Sequence, residues 1–534
     1  MLKALIKVRL AELKSIILKK NTRSNGKGGK LMGVFITICF LYAAVVLCGV
    51  IGFMCYSMLP VFSSIGLQWL YHAVIALFAV AFCFMGSVFL AQSQIFDSRD
   101  NELLLSMPIP PKSIVASRLI SFLLLNYLYT AIVMVPAAVV YIAYGSPTHM
   151  FYVGYILGFL TLPMLSMTIT CAVAYLISLI TSRMRHKNLI SGIAMIVFFI
   201  GFMAIYMNMA NYMMALIQNG ETVARTVERV LPPFYSFGMA VQGSVMHLAL
   251  ALLWCILPFF AVYRLLAASF RKIATSNKGL SKIKYVSKEL KSQSARSALT
   301  KKELGRIFGF PLYLFNCAIG GPMALLFAIV FLVKGTGIIT SLGSVYGMGS
   351  ASALVPFVIL VLCFCASTTC TSAPSISLEG TYFWILRSAP ISACDVFYAK
   401  IMANLILGLP PLIIASAIFA AFLPLSLAEQ ILLILLPMLL QVFTAMFGLI
   451  ANLMMPRFDW ISQAAVVKQS GSVLLTIFGG MGLIAAPALL FIFFAHKVMS
   501  FTTFGYYVCL VLVLICVALW YYLKKSGSKR FEHI

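Results

Sequence analysis

Two stretches carry residues whose types and spacing could do chemistry. Residues 98–120 read SRDNELLLSMPIPPKSIVASRLI, and residues 378–401 read LEGTYFWILRSAPISACDVFYAKI. Aligned on Ser106 and Ser388, both contain Ser-x-Pro-Ile, and a basic residue follows at the same interval, Arg118 in one and Lys400 in the other. The first stretch, with Asp97 just before it, holds Asp97, Arg99, Asp100 and Glu102; the second holds Glu379 and Arg387 beside Tyr382, Phe383 and Trp384. Charges next to aromatic rings in water point to recognition, with the stretch serving as a docking surface. The competing reading is an aromatic belt in the lipid interface. Acid–base or metal chemistry has weaker support. His72, His149, His247 and His496 stand singly near the ends of apolar runs, without acidic partners close by in sequence. The thirteen cysteines lie mostly within those runs, and the tightest group, Cys363, Cys365 and Cys370, has no partner ligands nearby.

The local signals give each stretch the same shape. Asp97 can cap a short helix with Asp100 near its positive end, and Pro108 stops it. Pro110 and Pro111 suit the first turn of a following helix. In the second copy Ser392 and Asp395 form a Ser-x-x-Asp cap in the same place. Each therefore reads as a short helix, a proline corner and a new long helix. Ser106, Pro108, Ser388 and Pro390 set the shape, and Glu102, Glu379, Trp384 and Arg387 face outward as contact residues.

What must position these loops is a membrane protein. Hydrophobic residues are 62% of the 534-residue chain and charged residues 10%, against about 25% charged in a soluble domain. About twelve apolar runs are long enough to cross a bilayer, near 32–56, 68–92, 116–144, 153–181, 189–213, 246–268, 317–336, 351–374, 398–424, 430–454, 472–495 and 502–523. They lack short alternating strands, so helices are expected rather than a barrel. The first run is too long for the core of a removable signal peptide. The net charge of +26 raises the question of nucleic acid, but its distribution answers otherwise. The first 30 residues hold nine Lys/Arg and one Glu, and residues 271–306 hold eleven Lys/Arg and two Glu. With both termini on one side, nearly all basic residues fall on that side, which the positive-inside rule makes cytoplasmic.

The chain divides into a first six-span repeat over 1–270, a basic cytoplasmic linker over 271–298 and a second repeat over 299–534. Six spans per repeat keep the two copies parallel. Each begins with an amphipathic segment suited to the membrane interface: Leu2, Leu5, Ile6, Leu10, Leu13 and Ile17 in the first, and Leu304, Ile307 and Phe308 in the second, where Pro311 breaks the helix. The expected fold is an all-α polytopic membrane protein of about twelve spans with interfacial helices. Residues 214–245, with Pro232-Pro233, match only a short stretch, about AHKVMSFTT, in the second repeat, and read as an external helical hairpin or gate or as a surface loop. Gly479, Gly480 and Gly482 are expected to let helices pack closely.

Few ionisable residues lie in mid-span, where a charge costs roughly 2.5–3.5 kcal/mol. The sequence also lacks G-x-x-x-x-G-K-[ST], so it has no P-loop of its own. Energy is then expected from a partner acting on the polar loops. Those loops, DNELLLSMPIPPKSI and SLEGTYFWILRSAPIS, together with MPRFDWISQAAVVKQS after the tenth span, resemble bacterial ATP-binding-cassette exporter permeases of the type-2 superfamily, and in particular fused twelve-span ones. The resemblance covers both halves, with one departure at Ile461-Ser462-Gln463, where a more acidic stretch is usual. It implies that each loop is a coupling helix seated on a separate ATPase subunit. Two such subunits carry ATP and Mg, this chain carries no cofactor, and the fused permease is monomeric in a bacterial plasma membrane. It also implies that Arg457, Phe458, Asp459 and Trp460 form a weaker cytoplasmic contact, and that transport runs outward. A path with few charges suits an amphiphilic peptide or lipid. The alternatives are a stand-alone secondary carrier, which fits twelve spans in two parallel halves, and a membrane enzyme acting on lipid-linked substrates.

Overall fold

The computed structural model describes residues 2–17, 27–91, 101–182, 192–197, 199–201, 203, 220–276, 293–335, 354–458, 460, 466–467 and 470–534. Among them there are helices and turns but no strands. The chain forms two compact units. Unit 1 is Met1–Arg185 with Phe202–Ile283, and unit 2 is His186–Gly201 with Lys284–Ile534. The last break falls between Ile283 and Lys284. His186–Gly201, which the sequence assigns to the first repeat, groups with unit 2; there Gly192 faces Leu314 and Phe199 packs its ring 5.9 Å from Phe315.

Unit 1 contains α1 (Leu2–Ile17), α2 (Lys27–Ser64), α3 (Gln68–Ala91), α4 (Asn101–Ser106), α5 (Pro111–Tyr144), α6 (His149–Ser182), α7 (Gly220–Val230), α8 (Pro232–Val241) and α9 (Val245–Ser276). Unit 2 contains α10 (Ala295–Gly309), α11 (Pro311–Ala318), α12 (Gly320–Lys334), α13 (Leu354–Thr368), a 3-10 turn (Ser377–Tyr382), α14 (Phe383–Ser388), α15 (Ala393–Phe422), α16 (Leu427–Met454), α17 (Gly471–Phe493), α18 (Phe501–Tyr522) and α19 (Ser528–His533). Nine helices are long and apolar enough to cross a membrane, and the bent pair α11–α12 brings the number to ten among the described residues.

Two expected spans differ in form. The run at 317–336 begins earlier, at Pro311, and bends by 59° between α11 and α12. Gly320 lies against the Cys365 carbonyl, where a Cβ would come within 1.9 Å. The run at 351–374 is helical only to Thr368. Beyond it the hydroxyl-rich STTCTSAPSIS offers the backbone local partners that compete with a helix, and Pro374 cannot continue one. The expected run at 189–213 is described in part, and only 192–197, 199–201 and 203 can be placed.

Corresponding helices pack in the same pairs within each unit. In unit 1, α5 packs on α1, α2, α3 and α6, while α6 packs on α3 and α9. In unit 2, α15 packs on α10, α12, α13 and α16, while α16 packs on α13 and α18. The amphipathic helix thus lies against the third span in both. Residues 220–241 form the hairpin that the sequence allowed. Leu231 links α7 to α8, and α8 inserts Phe234, Phe237, Ala240 and Val241 into the unit 1 core. In unit 2 the matching connection is only the turn at Ala495–Lys497.

Two of the three glycines of α17 make the expected close approach. A Cβ on Gly480 would lie 2.7 Å from the Ser367 side chain and one on Gly479 would lie 2.6 Å from Phe447, whereas Gly482 faces open space. Gly480→Ala should therefore lower stability by about 1–3 kcal/mol through overpacking. Gly482→Ala on the same helix should stay within about 0.5 kcal/mol of wild type. Thermal unfolding of the two purified variants checks the contrast.

Candidate functional site

The site that sequence and structure single out is the loop joining α13 to α15. After Thr368 the chain runs irregularly and fully buried to Ser377. Buried backbone outside a helix needs partners for its polar groups, and neighbouring helices supply them. Asn404 of α15 donates to the Thr369 carbonyl at 3.1 Å and to Thr371 Oγ1 at 3.0 Å. Gln441 of α16 also donates to the Thr369 carbonyl, at 3.1 Å. Tyr313 of α11 donates its hydroxyl to the Thr371 carbonyl. Asn452 of α16 accepts the N–H groups of Ile376 and Ser377 at 2.8 and 3.0 Å and donates to Ser377 Oγ at 2.8 Å.

Gly380 then reverses the chain at φ 60°. A side chain is disfavoured at that dihedral, and a Cβ there would also lie 3.2 Å from Trp460 Nε1. The short helix α14 follows and ends where Ser388 Oγ donates to the Ile385 carbonyl at 3.1 Å. Around Pro390 the Ile391 N–H donates to the Ala389 carbonyl at 2.7 Å. Ser392 caps α15, accepting the Asp395 N–H at 3.1 Å. The described corner of the unit 1 loop, from Leu103 to Pro111, has the same hydrogen-bond pattern. Ser106 Oγ donates to the Leu103 carbonyl at 2.8 Å, the Ile109 N–H donates to the Met107 carbonyl at 2.7 Å, and Pro110 and Pro111 begin α5. In both loops one leucine points inward, Leu104 or Leu386, and the preceding residue, Leu103 or Ile385, is exposed.

Beneath the unit 2 loop lies a buried cluster of charge. Lys400, about 10 Å along α15 at 1.5 Å per residue, is 2% exposed. Its ammonium donates to Glu303 Oε1 at 2.9 Å, to the Ser375 carbonyl at 3.1 Å and to Glu379 Oε1 at 3.2 Å. An ammonium has three donors, and all three are used. Glu379 also accepts from Arg306, whose Nη1 lies 2.8 Å from Oε1 while Nη2 bonds Oε2, and from Lys302 at 3.3 Å. The cluster ties three elements: α10 through Lys302, Glu303 and Arg306, the loop through Glu379 and Ser375, and α15 through Lys400. Burial alone would raise the Glu379 carboxyl, but Lys400, the Arg306 hydrogen bonds and Lys302 outweigh it and hold it down to about 2. Arg306 is shifted up: its own burial opposes the charge, and Glu303 and Glu379 more than restore it.

The structure corrects several expected roles. Glu379 does not face outward; it is 6% exposed and forms the centre of the cluster. Phe383 also turns inward, stacking on Phe458 at 4.9 Å and meeting Phe531 at 5.1 Å. Arg387 is exposed but donates to the Glu532 carbonyl of α19. Trp460 is buried and donates to the Ser377 carbonyl at 2.9 Å, and the Arg457 N–H donates to Ser377 Oγ at 2.9 Å. Phe458 and Trp460 thus support the loop from below. Tyr382 and Trp384 are 63% and 65% exposed, and Ser388 and Pro390 lie on the surface with them. In unit 1, Ser106 and Pro108 are exposed at the loop corner. Glu102 belongs to α4, and its side chain lies outside the described residues, as do Asp97, Arg99, Asp100 and Asp459 altogether.

Sequence reasoning missed Lys302, Glu303, Arg306 and Asn452, and it missed α19 as a support for the loop. One signal was available. The buried stripe of α10 is Leu299, Glu303 and Ile307, so an acid sits one turn from an apolar residue on either side.

A family model described as a membrane protein of 12 TMs matches residues 32–525. No curated protein and no solved structure matches the chain.

Removing one member of a buried, fully paired cluster leaves uncompensated charge and typically costs about 3–5 kcal/mol. Lys400→Met should lower stability by that amount in chemical unfolding of the purified chain. The pH dependence has a definite sign. The folded pKa of Glu379 lies below the ordinary value of about 4.3, so its contribution is complete above that pH and is lost as pH falls toward 2. The unfolding temperature should accordingly show an acid limb below about pH 4, and Glu379→Gln should flatten it.

Proposed function

The chain belongs to the family of twelve-span membrane proteins that matches residues 32–525, and from that premise we propose that it is the membrane-spanning subunit of an ATP-binding-cassette exporter. In this reading separate cytoplasmic ATPase subunits, two per permease, dock on the loops around α4 and α14. They bind ATP and Mg and drive an amphiphilic peptide or lipid-like cargo outward. The permease is a single fused chain in a bacterial plasma membrane, with its termini and basic linker on the cytoplasmic side.

One observation carries the proposal. The unit 2 loop presents Tyr382, Trp384 and Ile385 to solvent at 63%, 65% and 49% exposure, while its base is fixed through Glu379 to α10 and α15. An aromatic face on a rigid mount suits a partner that pushes. The corner chemistry shared by Ser106–Pro108 and Ser388–Pro390 supports a docking role for both loops. No residue of this chain is assigned to hydrolysis.

A stand-alone carrier has one observation in its favour. The bend between α11 and α12 and the irregular run after α13 touch, with the Cys370 N–H donating to the Cys317 carbonyl at 2.8 Å. Ion-coupled carriers bind their ions at such breaks. Here the buried acceptors without hydrogen-bond partners, Ser372 Oγ and Gln441 Oε1, are pressed against glycines. A Cβ on Gly448 would lie 2.7 Å from Ser372 Oγ, and one on Gly408 would lie 2.9 Å from Gln441 Oε1. That packing favours a structural use of the polar groups over an ion site.

Purification from native membranes should recover an ATPase subunit whose hydrolysis depends on the permease. Trp384→Ala should weaken its retention about 30-fold, the usual effect of a central interface tryptophan at about 2 kcal/mol, without changing the unfolding temperature. Uptake into proteoliposomes driven by an ion gradient, with no ATPase present, would rule the proposal out in favour of the carrier.

A further inference from the structure

Unit 2 holds a cavity of about 120 Å³ between α13, α16, α17 and α18. It lies toward the end of the unit away from the polar loop. The four helices contribute to it from the side of the turns that end α17 and begin α16 and α18. Its wall, which includes Ile359, Leu440, Ile484, Ala488 and Phe504, carries no charged or hydroxyl side chain. Protein interiors are normally close-packed, with few voids larger than a water molecule. A polar cavity of this size would hold water, whereas an apolar one stays dry and takes apolar guests; a soluble-protein cavity of about 150 Å³ lined by Leu, Ile and Phe binds benzene.

The reservoir of apolar guests is identified by where the cavity opens. Ile492 lines it and is also 60% exposed, and Leu360 lines it at 37% exposure. Beside Ile492 on α17, Leu489, Leu490 and Phe493 are 53%, 53% and 63% exposed, an apolar surface that lipid can solvate. The cavity is therefore partly open on the side of Ile492 and Leu360. Gly505, itself in the wall, brings α18 so near to α16 that a Cβ there would lie 2.4 Å from Leu432.

We propose that this cavity is a binding site for the terminal few carbons of one hydrocarbon chain of a membrane lipid, which enter sideways past Ile492. The wall offers nothing to a polar headgroup, so the site recognises the tail alone and the headgroup stays outside. The site goes beyond the export reading, and its test uses neither ATP nor a partner subunit, so either can fail without the other.

The full-length chain, reconstituted in phosphatidylglycerol bilayers with a photoreactive diazirine at the end of one acyl chain, is irradiated and mapped by peptide mass spectrometry. Leu440 and Ile359 are 1% and 4% exposed, so surface lipid cannot reach them. Label on either residue is the expected result. Ala488→Phe, which fills the cavity, should reduce that label at least about tenfold, and Leu489→Phe on the outer face should leave it intact. Ile484→Phe fills the same space should the first variant not fold. Label confined to exposed residues such as Leu489 in the wild-type chain would overturn the proposal without recourse to any variant.

Discussion

An ammonium group with no access to water determines how unit 2 is built. Lys400 cannot stay charged inside α15 unless carboxylates come to it, and they come from two directions. Glu303 is delivered by α10 and Glu379 by the polar loop. Each carboxylate then needs further cation, which Arg306 and Lys302 provide. The requirement is mutual, so none of the three elements can shift alone without stranding a charge. The exposed pair between Arg296 and Asp395 joins the same helices at 2.6 Å. Pairs of that kind contribute roughly 0–1 kcal/mol, against about 3–5 kcal/mol for breaking a buried one. The buried cluster, not the surface pair, sets the position of α10.

The irregular run above the cluster follows from the same logic applied to uncharged groups. Its backbone amides and carbonyls have left the helix, and the hydrocarbon of a bilayer offers them nothing. Asn404, Gln441 and Asn452 serve as surrogate backbone, the first two donating to the Thr369 carbonyl and the third accepting the Ile376 N–H. Gly408 and Gly448 make room for the side chains and atoms that meet there. The Lys400 ammonium and Arg306 both reach the Ser375 carbonyl, at 3.1 and 3.5 Å, which joins the polar run to the charge cluster. The loop is therefore rigid from its buried start to the proline corner.

Much of this was legible in the sequence, because some signals are local. The proline corners, the Ser392 cap, the amphipathic helices and the positions of most of the long apolar runs depend on neighbours in the chain, and they appear where expected. The sense of Glu379 and Phe383 was not legible. In a six-residue helix, inside and outside are chosen by what packs below, here Phe458, Phe531 and Trp460 from far along the chain. The bend at Gly320 and the early end of α13 arise from the contact between two spans, which a hydropathy pattern cannot register. One long-range signal was present. Asp97 precedes Arg118 by the interval that separates Glu379 from Lys400. Arg118 is 4% exposed and lies over the Phe270 ring at 5.4 Å, so the basic position of the motif is an interior one in both units.

In the export reading, the division between buried and exposed residues suits the loop to transmit force. A force applied at Trp384 can be dissipated by bending the loop or transmitted to the helices beneath it. Bending would have to separate Glu379 from Lys400 and Arg306, at the cost of a buried ion cluster, and to pull Phe383 from Phe458 and Phe531. Moving the loop, α10 and the first turns of α15 together with Phe458 and α19 as one body breaks none of these contacts. Arg387 extends that body to α19 through the Glu532 carbonyl, and Arg530 joins α19 to the end of α16 through the Leu453 carbonyl at 3.0 Å. A push on the exposed aromatic face is thus delivered to two membrane-spanning helices at once. This conclusion depends only on the relative cost of the two deformations, and it holds whatever supplies the force.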